Sequence, residues 1–254
     1  MPIYLVGQFF DPFHIFYIIF SILITIILLI LPNKYFKSNK SKNTYLKFWG
    51  IITVFLHISP LWIDFLGNKQ PIASDNMLFP IYFCNLAMYL LLITSFIENK
   101  NSKTFKYLAI ITSYAGILGA LISLIYPDYY IDSKMTWGVF KSMLSHSTML
   151  IGALYLMTGK YFKIETNNAK VFTVGLLGFG FIGLLVIITF KIANIPVPNA
   201  MYLLGPALET DNKFISVLLS GYIIGPFLIL LVYSFTKIYT KIQSKYFENN
   251  LIYS

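Results

Sequence analysis

Residues 78–128 read LFPIYFCNLAMYLLLITSFIENKNSKTFKYLAIITSYAGILGALISLIYPD. Two apolar runs, 78–97 and 105–126, flank a short polar connection that carries Lys100, Lys103 and Lys106. A helix rising about 1.5 Å per residue crosses the hydrocarbon core of a bilayer with about 20 residues, which is the length of each run. Strand-type alternation is absent. Backbone facing lipid must satisfy its own hydrogen bonds, so helices are the expected form.

The pattern extends in both directions. Apolar segments recur at about 13–31, 47–66, 78–97, 105–126, 139–157, 171–193 and 215–236. Hydrophobic residues make up 57% of the chain and charged residues 11%, against about a quarter in soluble domains. The length leaves no room for a separate soluble domain, so residues 1–254 are expected to form a single integral membrane domain. The segment at 13–31 has no basic residue before it and is long for a signal peptide, so it counts as a span.

The charges give an orientation. All nineteen cationic residues are lysine, and the formal net charge is +9. Fourteen of them fall in alternate connections: 32–47, 98–106, 158–170 and the stretch after 236. Lys69, Lys134, Lys141, Lys191 and Lys213 lie on the other side. The positive-inside bias then sets the N-terminus outside and the C-terminus inside, with seven spans. Without arginine there is no bidentate fork for reading bases, and the lysines follow the loops, so nucleic acid is not an expected partner. The lysine-only usage points to an AT-rich genome and the plasma membrane of a low-GC bacterium.

Polar groups at membrane depth are costly and therefore candidates for function. The second segment carries Thr53, His57 and Asp64 near one helical face. The third carries Cys84 and Asn85, and Cys84 is the only cysteine. The fifth carries Ser142, Ser145 and His146 on one stripe. Cys84 lies six residues into its segment and His146 seven into its own, both counted from the outer side. At about 1.5 Å per residue both sit roughly 9–11 Å below the outer edge of the core. An imidazole beside a thiol can take its proton and prepare it as a nucleophile. At that depth a lipid ester carbonyl is within reach. A cysteine in an apolar span is also a good small filler, and a histidine there can serve only to bond a neighbouring helix. The same polar residues can line a transport path or a binding pocket, so a transporter or a small-molecule or lipid-binding protein without catalysis is the alternative. His14, His57 and His146 fall on three different segments and no HExxH or CxxC motif is present, so no metal and no cofactor are expected. Gly116 with Ala120, Gly119 with Ser123, and Gly175, Gly178, Gly180 and Gly183 read as close-packing positions. Pro196, Pro198 and Pro206 argue against a single regular helix over 194–214.

Four elements carry a resemblance. FPIYFCNLAMYLLL (79–92) resembles the P-L-x-x-C-S/N element of the YwaF-type integral membrane proteins. GILGALISLIYPD (116–128), FKSMLSHSTMLIGALYL (140–156) and PNAMYLLGP (198–206) resemble, in the same order, their G-x-x-G-A…P-D, F-x-x-x-x-S-H and N-Y-x-F/Y-L elements. Tyr82 replaces a polar residue two before the cysteine, and GYIIGPFLIL (221–230) replaces an aromatic-rich G-P-W-P-W-Y element. The family includes an animal transmembrane acyltransferase that remodels ether phospholipids. The resemblance implies a phospholipid acyltransferase or transacylase working through an acyl-cysteine, with membrane phospholipids or lysophospholipids as partners. Cys84 would be the nucleophile and His146 the base. Asn85 would serve the oxyanion, Asn199 the acyl carbonyl or headgroup, and Asp128 an orienting partner. His57, Asp64, Ser142 and Ser145 would complete the polar lining.

Overall fold

The computed structural model describes residues 7–8, 10–63, 80–127, 130, 136–207, 217 and 220–252, with side chains described as far as residue 244. Asp64 and Asp128 lie outside the described residues. The fold is all-helical. Among the described residues seven α-helices occur: α1 (Pro12–Tyr35), α2 (Asn39–Ile58), α3 (Phe83–Phe96), α4 (Lys103–Ile125), α5 (Trp137–Thr158), α6 (Asn167–Ile192) and α7 (Gly221–Ile252). Four of them, α1, α4, α6 and α7, are long and apolar enough to cross a membrane, and α3 is a shorter apolar helix.

The helix starts follow from local chemistry. Asp11 caps α1 by accepting from the His14 N–H at 2.7 Å, and Pro12 follows at the first position, where its missing N–H costs nothing. Ser38, Ser102 and Thr136 cap α2, α4 and α5 in the same way. The Ser38 cap starts α2 well before the apolar segment at 47–66. The lysine-bearing stretch NKSKNTY is therefore the first two turns of a helix rather than a loop. Pro80 leads into α3, which starts at Phe83 without a side-chain cap.

The chain falls into two compact units, residues 1–161 and 162–254. In the first, α5 is central and touches α1, α2, α3 and α4. This position explains its composition. A helix surrounded by other helices meets little lipid, so Ser145, His146 and Ser147 are buried on it beside Met149, Leu150 and Tyr155. α1 is the opposite case. Ile15, Ile19, Ile22, Ile26 and Ile30 form an exposed apolar stripe at helical spacing. Such a stripe would be a liability in water and is the expected surface in hydrocarbon. The packing is close: a Cβ added to Gly116 of α4 would stand 2.7 Å from Ala153 Cβ of α5.

Both ends of this unit are tied. At one end, called here the upper end, the His14 ring bonds the Leu124 carbonyl at 2.8 Å. Tyr130 donates to Asp11 at 2.6 Å, and the Trp137 indole N–H donates to Ser59 Oγ at 2.8 Å. At the other, lysine-rich end, Tyr45 donates to the Leu28 carbonyl at 2.6 Å and Tyr161 to Asn43 Oδ1 at 3.0 Å.

In the second unit α6 packs against α7 and against a single 3₁₀ turn, Ala200–Tyr202. Residues 194–207 contain no regular helix beyond that turn, as the prolines predict. Met201 and Tyr202 hold positive φ there, at 52° and 57°. The turn sits directly on two glycines: added Cβ atoms would meet Met201 Cγ at 2.7 Å from Gly183 and the Met201 carbonyl oxygen at 2.5 Å from Gly221.

Candidate functional site

The directions of the helices fix the levels of the polar residues. Gly50 of α2 lies against Leu92 and Ser95 of α3, and His57 meets Tyr89 ring to ring at 5.7 Å. The two helices therefore run in opposite directions. Trp49 lies against Gly152, and Thr53 bonds Thr148 at 3.0 Å, so α2 and α5 are also antiparallel. It follows that α3 and α5 run the same way. They touch where Leu91 fills the space beside Gly152, with Leu91 Cδ2 2.6 Å from an added Cβ. Cys84 is seven residues back from Leu91 and His146 six back from Gly152. At about 1.5 Å per residue their backbones stand within about 2 Å of one level.

Cys84 occupies the second residue of α3, near the upper end, and is only partly buried. Its thiol donates to Asn85 Oδ1 at 3.6 Å, and Asn85 itself is buried. Gly119 of α4 makes room for it: an added Cβ there would lie 3.4 Å from Cys84 Cβ. Gly119 reads in the sequence as a packing residue. Its neighbour is the thiol-bearing residue itself, so it also sets where the sulfur sits.

His146 is buried, and its Nδ1 lies 2.7 Å from the Ser142 carbonyl oxygen. A carbonyl can only accept, so Nδ1 carries the proton and donates. Nε2 then holds the lone pair. This is the tautomer a general base requires. Ser142 therefore acts through its backbone. Its hydroxyl donates to the Gly138 carbonyl at 2.9 Å, and the Ser145 hydroxyl donates to the Ser142 carbonyl at 3.1 Å. The Ser145 hydroxyl and the His146 ring thus share the Ser142 oxygen.

His57 is buried at the upper end of α2, and its Nε2 has no hydrogen-bond partner among the described residues. Lys141 reaches the His57 carbonyl at 3.5 Å, and both Lys141 and His146 lie within electrostatic range of the His57 ring. Tyr89 and Lys141 were not singled out from sequence. Tyr89 lies five residues after Cys84, inside an apolar run where an aromatic residue carries no signal.

Cys84, Asn85, His57, Ser142, Ser145 and His146 thus share the upper part of one four-helix cluster, α2–α5. Asn199 belongs to the second unit, where its side chain organises its own loop. Its Oδ1 accepts from the Leu204 and Gly205 N–H groups at 2.9 and 3.1 Å, and its Nδ2 donates to the Pro206 carbonyl at 3.2 Å. All of these contacts fix residues 199–206. Among the described residues no group of three or more His, Cys, Asp or Glu could hold a metal ion.

No curated protein and no solved structure is similar to this chain. The model of the TMEM164 family, a transmembrane protein family, matches residues 9–239. That span includes all four quoted motifs and every candidate residue, and the chain is a membrane protein that belongs to the TMEM164 family.

Proposed function

We propose that this protein transfers acyl groups between glycerophospholipids through an acyl-cysteine at Cys84, with His146 as base. The observation that carries the reading is the common level of Cys84 and His146, reached from two helices that run the same way and touch at Leu91 and Gly152. The orientation of His146 by the Ser142 carbonyl supports it, because it places the ring proton on Nδ1 and the lone pair on Nε2.

The chemistry balances without a cofactor. His146 Nε2 takes the Cys84 thiol proton, and the thiolate attacks the carbonyl carbon of a phospholipid ester. The ester C–O bond breaks, and the leaving lysophospholipid oxygen takes the proton from His146. An acceptor lysophospholipid hydroxyl then gives its proton back to His146 and attacks the thioester, releasing the thiol. The Asn85 amide stands beside the sulfur and serves the oxyanion formed in both halves. The partial exposure of Cys84 gives a lipid ester access, and the burial of His146 keeps water from the base.

This reading takes the seven helices as seven spans in a bacterial plasma membrane, with the upper end outside and the lysine-rich end inside. α2 and α5 fall short of a spanning hydropathy because α2 begins in a polar cap and α5 is shielded by four other helices. Orientation is checked by labelling single cysteines, introduced at residues 8 and 40 in a Cys84→Ala background, with a membrane-impermeant thiol reagent. Labelling of residue 8 alone in intact cells is expected, and the reverse would invert the topology.

The decisive experiment is intact mass spectrometry of the purified protein together with transfer of a labelled acyl chain from phospholipid to lysophospholipid. An acyl adduct on Cys84 and loss of both signals in Cys84→Ala are expected. Full transfer by the alanine variant would remove the nucleophile assignment.

A further inference from the structure

The lysine-rich end of the first unit holds a polar cleft of about 420 Å³, between the start of α2, the α3–α4 connection and the residues after α5. It lies well away from Cys84: the end of α3 that borders it is twelve residues on, about 18 Å along the helix. Lys42, Lys100 and Lys160 line it, against the single acid Glu98. Among the described residues the one ion pair is Lys163–Glu165, so neither Lys42 nor Lys160 has a carboxylate partner.

Two amides in the cleft, Asn43 and Asn99, are held by their oxygens. Asn43 Oδ1 is taken by the Tyr161 hydroxyl at 3.0 Å, and Asn99 Oδ1 by the Asn101 N–H at 3.1 Å. Each of these amide oxygens already accepts one bond, and the N–H groups of both side chains remain to donate. Lys100 is committed differently. It donates to the Thr94 and Ser95 carbonyls at 3.3 and 2.9 Å, closing the end of α3, and lies 4.6 Å from the Phe105 ring. It adds fixed positive charge to one wall. Burial first, and Lys47 second, hold the Lys100 ammonium down at about 8, and an anion in the cleft would offset both.

We propose that this cleft binds a phosphate-bearing anion through the Lys42 and Lys160 ammonium groups and the side-chain N–H groups of Asn43 and Asn99. Two flexible ammonium groups and two amides from three chain segments suit a tetrahedral oxyanion, whose oxygens can accept from several sides. The source is either the headgroup of an anionic phospholipid in the adjacent leaflet or a soluble phosphate compound. The site is independent of the acyl-transfer reading and stands if that reading fails.

The test uses the full chain in detergent micelles. One arm adds phosphatidic acid or phosphatidylcholine and measures retained lipid by native mass spectrometry. The other adds inorganic phosphate and measures the rise in melting temperature. Retention of phosphatidic acid with no response to phosphate identifies a headgroup; a phosphate response without lipid retention identifies a soluble ligand. In either case the K42Q/K160Q double variant should weaken binding about tenfold or more, since each lysine near an anionic surface contributes several-fold. The control K37Q/K40Q removes two exposed lysines at the same end of the unit but outside the cleft. An equal loss in the control would reduce the effect to diffuse charge and overturn the proposal. So would unchanged binding in K42Q/K160Q, or no binding of either probe.

Discussion

The α2–α5 cluster has hydroxyl bonds between helices that α6 lacks among the described residues. In the cluster several hydroxyls bridge helices, while Ser142 and Ser145 bond carbonyls of their own helix. Thr53 bonds Thr148 and Thr94 bonds Thr112, both at 3.0 Å, and Ser113 donates to the Ala153 carbonyl at 2.7 Å. On α6, Thr173 and Thr189 turn back to carbonyls of their own helix, each at 2.8 Å. Glycine contacts with a neighbouring helix divide similarly, although Gly183 of α6 packs on the 3₁₀ turn. Gly50, Gly116 and Gly152 each have a neighbouring helix within 2.7 Å of an added Cβ, whereas Gly178 and Gly180 have nothing within 4 Å. Cross-helix bonds and close glycine contacts fix the relative heights of α2, α3, α4 and α5, and those heights bring Cys84 and His146 to one level. A helix that closes its hydroxyls on itself imposes no such register.

The largest break in this contrast is chemical. His146→Ala should lower acyl transfer by about 10²–10⁴-fold, the usual contribution of a positioned acid–base group. Cys84 should still be acylated slowly by a reactive thioester donor, because the nucleophile remains. Loss of folding, read as a collapsed melting transition, would instead mark His146 as a structural bond. An unchanged transfer rate would exclude it as the base.

Next is Gly116→Ala. Its new methyl would meet Ala153 Cβ, which has no rotamer to move, so α4 and α5 must part. Overpacking of this kind costs about 1–3 kcal/mol. α4 also carries Gly119, so acyl transfer should fall together with the melting temperature. Gly180→Ala is the matched control, with open space around the site, and should leave both within error or raise stability slightly. Equal effects from the two substitutions would erase the distinction between cluster and α6.

A smaller effect is expected at the upper tie. Burial alone would push the Asp11 carboxyl up, but hydrogen bonds from Tyr130 and from the His14, Gly7 and Gln8 N–H groups overcome it and hold the group down at about 2, from 3.8. A carboxylate lowered in the folded state contributes stability above its unfolded value and loses it as pH falls. The melting temperature should therefore drop between about pH 4 and pH 2, and Asp11→Asn should flatten that limb while keeping the helix cap. An unaltered acid limb in the variant would show that Asp11 contributes nothing there.

Much of this was legible from residue types alone. The described part of each apolar segment falls largely on a helix. Counting residues from the segment edges also put Cys84 and His146 at one depth. What counting could not supply is direction within a side chain. The protonated nitrogen of His146 follows from the Ser142 carbonyl, which exists only once the helix has formed. The start of α2 was hidden because lysines on a solvated helical turn look like lysines in a loop. Asn199 illustrates another limit. Only the resemblance gives it a role, at the acyl carbonyl or headgroup; in the structure its side chain bonds its own loop.

The subtlest test separates bridging from self-bonded hydroxyls. Thr94→Val and Thr112→Val each remove one side of a buried cross-helix bond while keeping the shape of the side chain. Interhelical bonds of this kind in membranes average about 0.6 kcal/mol, because hydroxyls in the unfolded chain also find partners within the bilayer. A double-mutant cycle should return a coupling of about that size. Thr173→Val on α6 removes a bond within one helix and should shift stability less, since no second helix loses a partner. If the cycle gives no coupling and Thr173→Val costs as much as Thr94→Val, the hydroxyl bridges do not hold the register of the cluster. The common level of Cys84 and His146 would then rest on glycine packing alone.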